Sequence, residues 1–254
     1  MSLVKNEQEI ELIRGSCRIV ANVLTYIKDF INEGITTFEI NELIEKFIIK
    51  NEGYPAFKGY GDKKNKYPAS SCISINEEVV HGIPGPRKLM NGDIVSIDVG
   101  VLKDGYYGDA AYTFEVGEIS SKKKRLLQIT RESLYRGIAQ AKDGFVLNDI
   151  ACAIQDFVEG SGYGVVRDLC GHGIGSKLHE EPAVLNYYNP KNKFKLVKGM
   201  TIAIEPMINY GTYAIRTLKD GWTTVTKDSE PSAHFEHTIL ITDGEPEILT
   251  KSFY

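Results

Sequence analysis

One pattern ending in a carboxylate occurs twice in this chain, and this repeat constrains the fold more than any other sequence feature. A glycine stands six residues before both Asp98 and Glu205, and the intervening residues are mostly apolar in both copies. Asp109 and Glu236 are each followed, eight and nine residues later, by a Gly-Glu pair. The matching order predicts two halves related by a pseudo-two-fold axis, with four carboxylates at equivalent places. The two copies are not spaced as in a solenoid of many repeats.

The first half, about residues 1–120, contains signals for two helices followed by short strands. Apolar residues recur in steps of three and four from Ile10 to Ile31, which indicates the buried face of an amphipathic helix that Gly34 ends. Thr36 followed by Glu39 predicts a capping box at the start of a second helix. Strand-like runs follow at residues 72–75, 94–99 and 111–116.

The second half, about residues 121–254, repeats this α-α-β-β order. A helix is predicted over residues 122–141, Asn148 is the expected N-cap of the next helix, and strands are predicted at 201–204 and 238–241. No Pro- or Ser-rich linker separates the halves. We therefore expect an α+β fold with residues 1–254 as a single catalytic domain, whose halves share one curved antiparallel sheet and one core.

Composition and charge exclude several classes of protein. The hydrophobic share is 42%, and the net charge is -4, from 30 basic and 34 acidic residues. This balance gives no electrostatic reason to expect nucleic acid as substrate or binding to an anionic membrane. No apolar run is long enough to span a bilayer, and the N-terminus lacks the apolar region of a secretory signal. The four cysteines form no CxxC pair, so we expect free thiols and a cytoplasmic location.

Asp98 and Glu205 each follow an uncharged strand-like run, so both side chains are expected to face an interior or a cleft. Within residues 94–99, Ile94 shares the face of Asp98. An ionised carboxylate in such a place is costly unless it is paired or bound to a metal. For one acid alone, a structural ion pair or a strand end that reaches water is the ordinary explanation. The repeat favours a central site shared by both halves.

Asp109 and Glu236 carry weaker signals when taken singly. Asp109 lies in a Gly-Asp pair, which is typical of a turn. Glu236 comes just before an apolar strand, where a solvated strand start is the ordinary explanation. Only their equivalent positions in the repeat predict that they belong to the same site as Asp98 and Glu205.

Two of the five histidines lie in one glycine-rich segment. Glycines on both sides of His172 permit backbone conformations that other residues resist. His179 follows seven residues later, which is not the i, i+4 spacing of a zinc-binding helix, so the two need not bind the same ion. His81 is a third candidate. His234 and His237 are expected to be structural hydrogen-bonding groups, as most single histidines are.

The acids and one histidine form a chemically coherent set if they converge. Four carboxylates and one imidazole without a thiolate suit two hard or borderline divalent ions. Two such metal ions, bound side by side, generate a hydroxide from water at neutral pH. That hydroxide is the nucleophile of hydrolytic reactions. The set is Asp98, Asp109, His172, Glu205 and Glu236.

Four blocks of the sequence closely resemble the methionine aminopeptidases. They are SCISINEEVVHGIP at 71–84, GHGIGSKLHEEPAVLNY at 171–187, IAIEP at 202–206 and FEHT at 235–238. The resemblance extends along nearly the whole chain, and it implies a pita-bread fold with a dinuclear site made by the five residues above. The short segment between His179 and Glu205 and the lack of a zinc-finger extension resemble the short bacterial form of type I.

The resemblance also implies residue roles. A hydroxide between the metal ions attacks the carbonyl after the N-terminal methionine, and Glu205 takes its proton as general base. His179 contacts the scissile carbonyl, and His81 lies near the scissile nitrogen. The methionine side-chain pocket is implied to consist of Cys72, Tyr60, Tyr67, Leu178 and Trp222.

Further implications concern ions and two departures from the family pattern. Asn76, Glu78 and Ser232 match positions that supply oxygens to a monovalent cation in some members. Leu178 stands where many members have phenylalanine. The segment 59–67 is longer than usual and lacks a histidine that is often found there.

Three functions are compatible with these sequence features. The first is removal of initiator methionine from peptides and nascent chains whose second residue is small, by a monomer that uses Co, Mn, Fe or Zn, with the ribosome as a candidate partner. The second is a prolidase or Xaa-Pro aminopeptidase of the same fold, but such relatives usually add an N-terminal domain and lack the block at residues 71–84. The third is a metal-free binding module, which would have lost metal ligands. The intact ligand set and the block at 71–84 favour the first.

Overall fold

A computed structural model describes residues 3–251. Within them lie four α-helices and one short 3₁₀ turn. The helices are α1 (Glu7–Ile27), α2 (Thr37–Lys50), α3 (Ser121–Ile138) and α4 (Leu147–Gly160), and the 3₁₀ turn is Lys28–Phe30. No helix in this part of the chain is long and apolar enough to cross a membrane.

Local side-chain chemistry sets the helix starts. The predicted capping box of α2 is confirmed, since the Thr36 hydroxyl accepts from the Glu39 N–H at 3.1 Å and the Glu39 carboxylate accepts from the Thr36 N–H at 2.8 Å. The prediction of Asn148 as the next N-cap is wrong. Val146 is the N-cap of α4, and its N–H donates to the Asp149 carboxylate at 2.8 Å. Asn148 instead uses its amide in a contact with another loop.

Fifteen strands, all paired antiparallel, make up the rest of the regular structure within residues 3–251. Those of the first half are β1 (Tyr54–Pro55), β2 (Cys72–Ile75), β3 (Glu78–Val80), β4 (Ile94–Lys103) and β5 (Tyr106–Glu115). Those of the second half are β6 (Gly164–Val165), β7 (Gly171–Gly173), β8 (Glu180–Val184), β9 (Thr201–Ile204), β10 (Met207–Asn209), β11 (Ile215–Thr217), β12 (Thr224–Thr226), β13 (Ser232–His234), β14 (His237–Leu240) and β15 (Glu247–Ile248). The strands predicted at 72–75 and 201–204 have the observed bounds.

Each half has a main antiparallel sheet. In the first, β4 pairs with β5 along one edge and with β1 and β2 along the other. In the second, the order is β15-β14-β9-β7-β8. The halves join where the Glu236 N–H donates to the Ala111 carbonyl at 2.9 Å and the Thr238 hydroxyl donates to the Asp109 carbonyl at 2.7 Å. The small sheet β11-β12-β3 also combines strands of both halves.

The apolar side chains form two large clusters, where the sequence led us to expect one core. One lies between α1, α2 and the first main sheet, and the other between α3, α4 and the second. Tyr112 of β5 packs against both. The α+β pita-bread fold of two repeated halves is confirmed, and the repeated carboxylates lie together at the seam between the halves.

Candidate metal centre

The first pair of carboxylates lies on one face of the β4–β5 hairpin. Asp98 is opposite Ala111 and Asp109 is opposite Gly100, so the two acids are diagonal neighbours on the same side of the sheet. A Cβ atom at Gly100 would lie 2.6 Å from the Phe57 ring. The glycine therefore lets the Phe57 ring pack against β4 at the position opposite Asp109.

The second group comes from the other main sheet. Glu205 follows β9 directly and Glu236 precedes β14, two strands paired with each other. His172 of β7 is opposite Ala203 of β9, and Ala203 and Glu205 occupy alternating positions that share a face. Strand pairing thus directs both glutamates and the histidine toward the first pair.

The five predicted ligands line one cavity of about 110 Å³. His172 Nε2 lies 3.6 Å from a Glu205 oxygen and 3.9 Å from an Asp109 oxygen. One ligand atom from each of Asp109, His172 and Glu236 falls within 4.8 Å of the others. The atoms are near enough to bind a common ion.

The electrostatics of these acids explain why they fit a cation. Burial, followed by repulsion from neighbouring carboxylates, raises the pKa of Asp98, Glu205 and Glu236 well above the usual range. Burial also raises the pKa of Asp109 to about 7. The described residues that line the cavity include no lysine or arginine to offset these charges.

Unpartnered oxygens give an independent test of fit. Among the described residues, one buried oxygen of each of Asp98, Asp109 and Glu236 has no hydrogen-bond partner. Buried polar atoms are usually satisfied, so unpaired carboxylate oxygens that face one another indicate ligand positions. The His172 imidazole is suitably neutral, since burial lowers its pKa to about 3. This donor set fits divalent metal ions.

His81 and His179 lie beside the acids. His81 follows β3 with a left-handed backbone, φ 59°, and burial lowers its pKa to about 4. The His179 ring meets the His172 ring edge-on, with 4.2 Å between centroids, and burial lowers the pKa of His179 as well. Both imidazoles are therefore neutral at neutral pH, when each can donate one hydrogen bond and accept another.

The other end of the cavity is apolar. Cys72 of β2 is directly opposite Asp98 of β4, which places this end next to the acids. The Tyr67 hydroxyl donates to the Gly82 carbonyl at 2.8 Å, and its ring meets Trp222 edge-on at 5.3 Å. The cavity lining contains all five residues predicted for a methionine pocket, namely Tyr60, Tyr67, Cys72, Leu178 and Trp222.

Two residues at the cavity were not predicted. Phe57 lines the apolar end, and its place depends on the loop after β1, for which the sequence carries no periodic signal. His234 is buried, with Nε2 3.8 Å from a Glu205 oxygen and no hydrogen-bond partner for that atom within residues 3–251. It stands two residues before Glu236 in extended chain, so alternation offered a signal that both face the same side. His237 contacts Thr250 at 2.9 Å, in agreement with a structural role.

The predicted monovalent-cation residues lie near one another but outside the cavity lining. The Asn76 carbonyl accepts from the Ser232 N–H at 2.8 Å, and the Asn76 side-chain oxygen accepts from Lys123 Nζ at 2.7 Å. The Glu78 carboxylate accepts from the Ile75 N–H and from Arg87. The side-chain oxygens of Asn76 and Glu78 thus already have partners, and a cation site there stays a prediction that would use main-chain oxygens.

Comparisons with known proteins identify related sequences and a similar fold. The family model for metallopeptidase family M24 matches residues 11–243. A methionine aminopeptidase of Clostridium acetobutylicum is 47% identical over 251 residues, which cover 98% of this chain and 99% of that protein. The crystal structure of a methionine aminopeptidase from Thermotoga maritima superposes with a TM-score of 0.94 at 45% identity, covering 98% of this chain and 99% of that one.

The fold is also similar to that of a proline-specific enzyme. A prolidase from Pyrococcus furiosus matches 99% of this chain and 66% of its own length, with a TM-score of 0.78 and 24% identity. This likeness concerns the fold alone.

Proposed function

Because the chain belongs to metallopeptidase family M24, and within it to the methionine aminopeptidases, it is a metal-dependent exopeptidase that removes N-terminal methionine, and we propose that the acidic cavity is where it does so. The observation that carries this assignment is the convergence of buried acids beside an apolar slot, with no lysine or arginine among the described residues of the cavity lining. Residues 1–254 act in this proposal as one catalytic domain, since both halves supply ligands.

Asp98, Asp109, His172, Glu205 and Glu236 would hold two divalent ions, with Mn, Fe, Co and Zn all suited to these ligands. Bound ions of this kind polarise a carbonyl, acidify water and stabilise developing negative charge. The raised pKa of the carboxylates means that they release protons as metal binds.

Glu205 is the proposed general base. Its side chain lies at the edge of the ligand set and is 14% exposed, so water can reach it. A carboxyl group whose pKa is raised by burial can accept a proton from the attacking water and then pass it to the leaving amine.

The neutral histidines are proposed to orient the scissile bond. An N–H of His179 donates to the carbonyl oxygen, where negative charge develops during attack. His81 is placed near the scissile nitrogen. Both remain uncharged at neutral pH because burial lowers each pKa, so they act as hydrogen-bonding groups rather than cations.

The apolar end is proposed to select the first residue of the substrate. Aromatic and aliphatic walls around Cys72 suit a flexible thioether side chain. The free α-amine then lies beside the carboxylates, which would restrict cleavage to the first residue. The proposed substrates are peptides and nascent chains whose second residue is small. The enzyme is proposed to act on them in the cytoplasm as a monomer, with the ribosome as a candidate partner.

Cleavage of two matched peptides tests the function. Metal-stripped protein is given Met-Ala-Ser or Ala-Pro-Ser, with and without added Mn or Co, and free amino acids are measured. We expect methionine release only with metal. Cleavage of the proline peptide instead would overturn the substrate, and activity on neither peptide despite bound metal would overturn the enzymatic assignment of the cavity. Titration of bound metal per chain decides between one ion and two.

A further inference from the structure

The Tyr60 side chain makes a contact that a pocket wall does not require. Its hydroxyl forms a hydrogen bond with Nδ1 of His179, and the two rings meet edge to face with 5.0 Å between centroids. The His172 ring packs against the same imidazole at 90°. The His179 ring is therefore held by two neighbours, and Nε2 is the nitrogen that Tyr60 does not engage.

The direction of this hydrogen bond decides which nitrogen of His179 carries the proton, because a phenol can donate to Nδ1 or accept from it. Burial raises the pKa of Tyr60, so the phenol keeps its proton at neutral pH and can donate it. A neutral imidazole has one N–H and one bare nitrogen. If the phenol donates to Nδ1, the single imidazole proton must lie on Nε2.

We propose that Tyr60 is a positioning residue that holds His179 in the tautomer with its proton on Nε2, so that this N–H faces the carbonyl oxygen of the scissile bond. The inference rests on the role proposed above for His179. It gives Tyr60 a part in the reaction besides lining the methionine pocket. An orienting hydrogen bond on the second nitrogen is a general way to fix the tautomer of a functional histidine.

The unusually long segment 59–67 provides a built support for Tyr60. The Tyr67 N–H donates to the Tyr60 carbonyl at 2.7 Å, which closes the segment into a loop. The Asp62 carboxylate accepts from the N–H groups of the second and third residues after it, at 2.7 and 2.8 Å. Trp222 Nε1 donates to the Asn65 side chain at 3.0 Å and anchors the loop to the cavity wall. The inserted residues thus fix the place from which Tyr60 reaches His179.

The tautomer can be read directly in metal-free protein. We would record ¹⁵N spectra of the histidine rings and identify the His179 signals by their loss in His179→Ala. We expect a protonated Nε2 and a bare Nδ1 in the unmodified protein, and an increased share of the other tautomer in Tyr60→Phe. A proton on Nδ1 in the unmodified protein would overturn the proposal, whether or not the variant folds.

Kinetics of the metal-loaded enzyme provide the second readout. Tyr60→Phe keeps the ring in the pocket and removes only the hydroxyl, so we expect kcat to fall about tenfold, while KM changes less than about twofold. Tyr54→Phe, which removes the hydroxyl of an exposed tyrosine on β1, is the control and should leave both constants unchanged. A rise in KM alone, or unchanged kcat, would overturn the positioning role.

A double-mutant cycle separates this proposal from the one it rests on. In the His179→Ala background, Tyr60→Phe should cause no further loss, because the hydroxyl acts through the missing ring. If His179→Ala itself leaves kcat unchanged, the role of His179 fails and this inference fails with it. If His179→Ala lowers kcat and Tyr60→Phe does not, only the role of Tyr60 fails.

Discussion

The two halves present equivalent carboxylates on differently built supports. In the first half, Asp98 and Asp109 lie on β4 and β5, strands of ten residues each that pair along their whole length. In the second half, Glu205 and Glu236 adjoin β9 and β14, strands of four residues each, and His172 is added from β7. A continuous ladder therefore fixes one pair of acids, whereas the other is fixed by short strands and the seam between the halves.

The difference shows which parts of the site follow from the repeat. The repeated carboxylates form the acidic end of the cavity, where the metal ions are proposed to bind. The segments that carry Tyr60, His81 and His179 lie outside the matched pattern, and they form the part that meets the substrate. Four of the five proposed metal ligands thus belong to the symmetric elements, whereas His172 and the residues assigned to substrate recognition belong to the asymmetric ones. Substitutions in the two groups should have different effects.

The largest expected effect on kcat comes from removing the proposed general base, Glu205, which belongs to the symmetric group. Glu205→Ala should lower kcat by about 10²- to 10⁴-fold, the usual contribution of general acid–base catalysis, or more if an ion is also lost. Initial rates on Met-Ala-Ser together with metal analysis measure both. Glu33→Ala, a change of an exposed glutamate on the α1–α2 connection, is the control. Near-normal turnover in the Glu205 variant would contradict the mechanism.

Metal removal should have an intermediate effect, which is to make the Tm of the protein depend on pH. In metal-free protein the folded-state pKa of the buried acids is raised, to about 7 for Asp109, above an unfolded value of about 4. Their contribution to stability is fully present below the unfolded pKa and is lost as pH rises through the folded pKa. The Tm of chelated protein should therefore fall as pH is raised from about 4 past about 7.

Added Mn or Co should remove most of this pH dependence, because bound cations stabilise the ionised acids. Thermal unfolding at several pH values, with and without metal, measures the effect. Parallel curves in the two conditions would mean that the buried acids are not the ligands.

A smaller effect, on substrate selectivity, is expected from a substitution in the asymmetric part of the cavity. Cys72→Ala should leave bound metal unchanged and alter the ratio of kcat/KM between methionine and leucine at the first position by about tenfold or less, the range for small changes in an apolar pocket. Cys152→Ala on α4 is the matched control, since Cys152 is absent from the cavity lining. Loss of metal in the Cys72 variant would break the division between the two groups.

Local patterns in the sequence account for much of the fold and the metal centre. Alternation in β4 placed Asp98 on a face shared with Ile94, and the repeat linked it to Glu205 before any pairing was known. Strand register then brings these residues together because a strand has only two faces. The capping box at Thr36 was equally local, since it depends on two residues three positions apart.

Features that depend on contacts between distant residues are harder to predict from the sequence. The N-cap at residue 146 differs from the predicted Asn148 because that side chain reaches the Asn189 carbonyl, 41 residues away. Alternation from Glu236 indicates the face of His234, but its place beside Glu205, like the place of Phe57 in the cavity lining, depends on how distant segments pack. The Tyr60–His179 contact joins residues 119 positions apart. Each of these requires the three-dimensional arrangement of both halves.

The seam at Glu236 and Ala111 makes the acidic end of the cavity a joint property of both halves. Either half alone carries two of the four acids on its own strands, beside its own apolar cluster. Any local opening of the seam would separate Asp98 and Asp109 from Glu205 and Glu236, so the acidic end exists only while the two halves stay packed together.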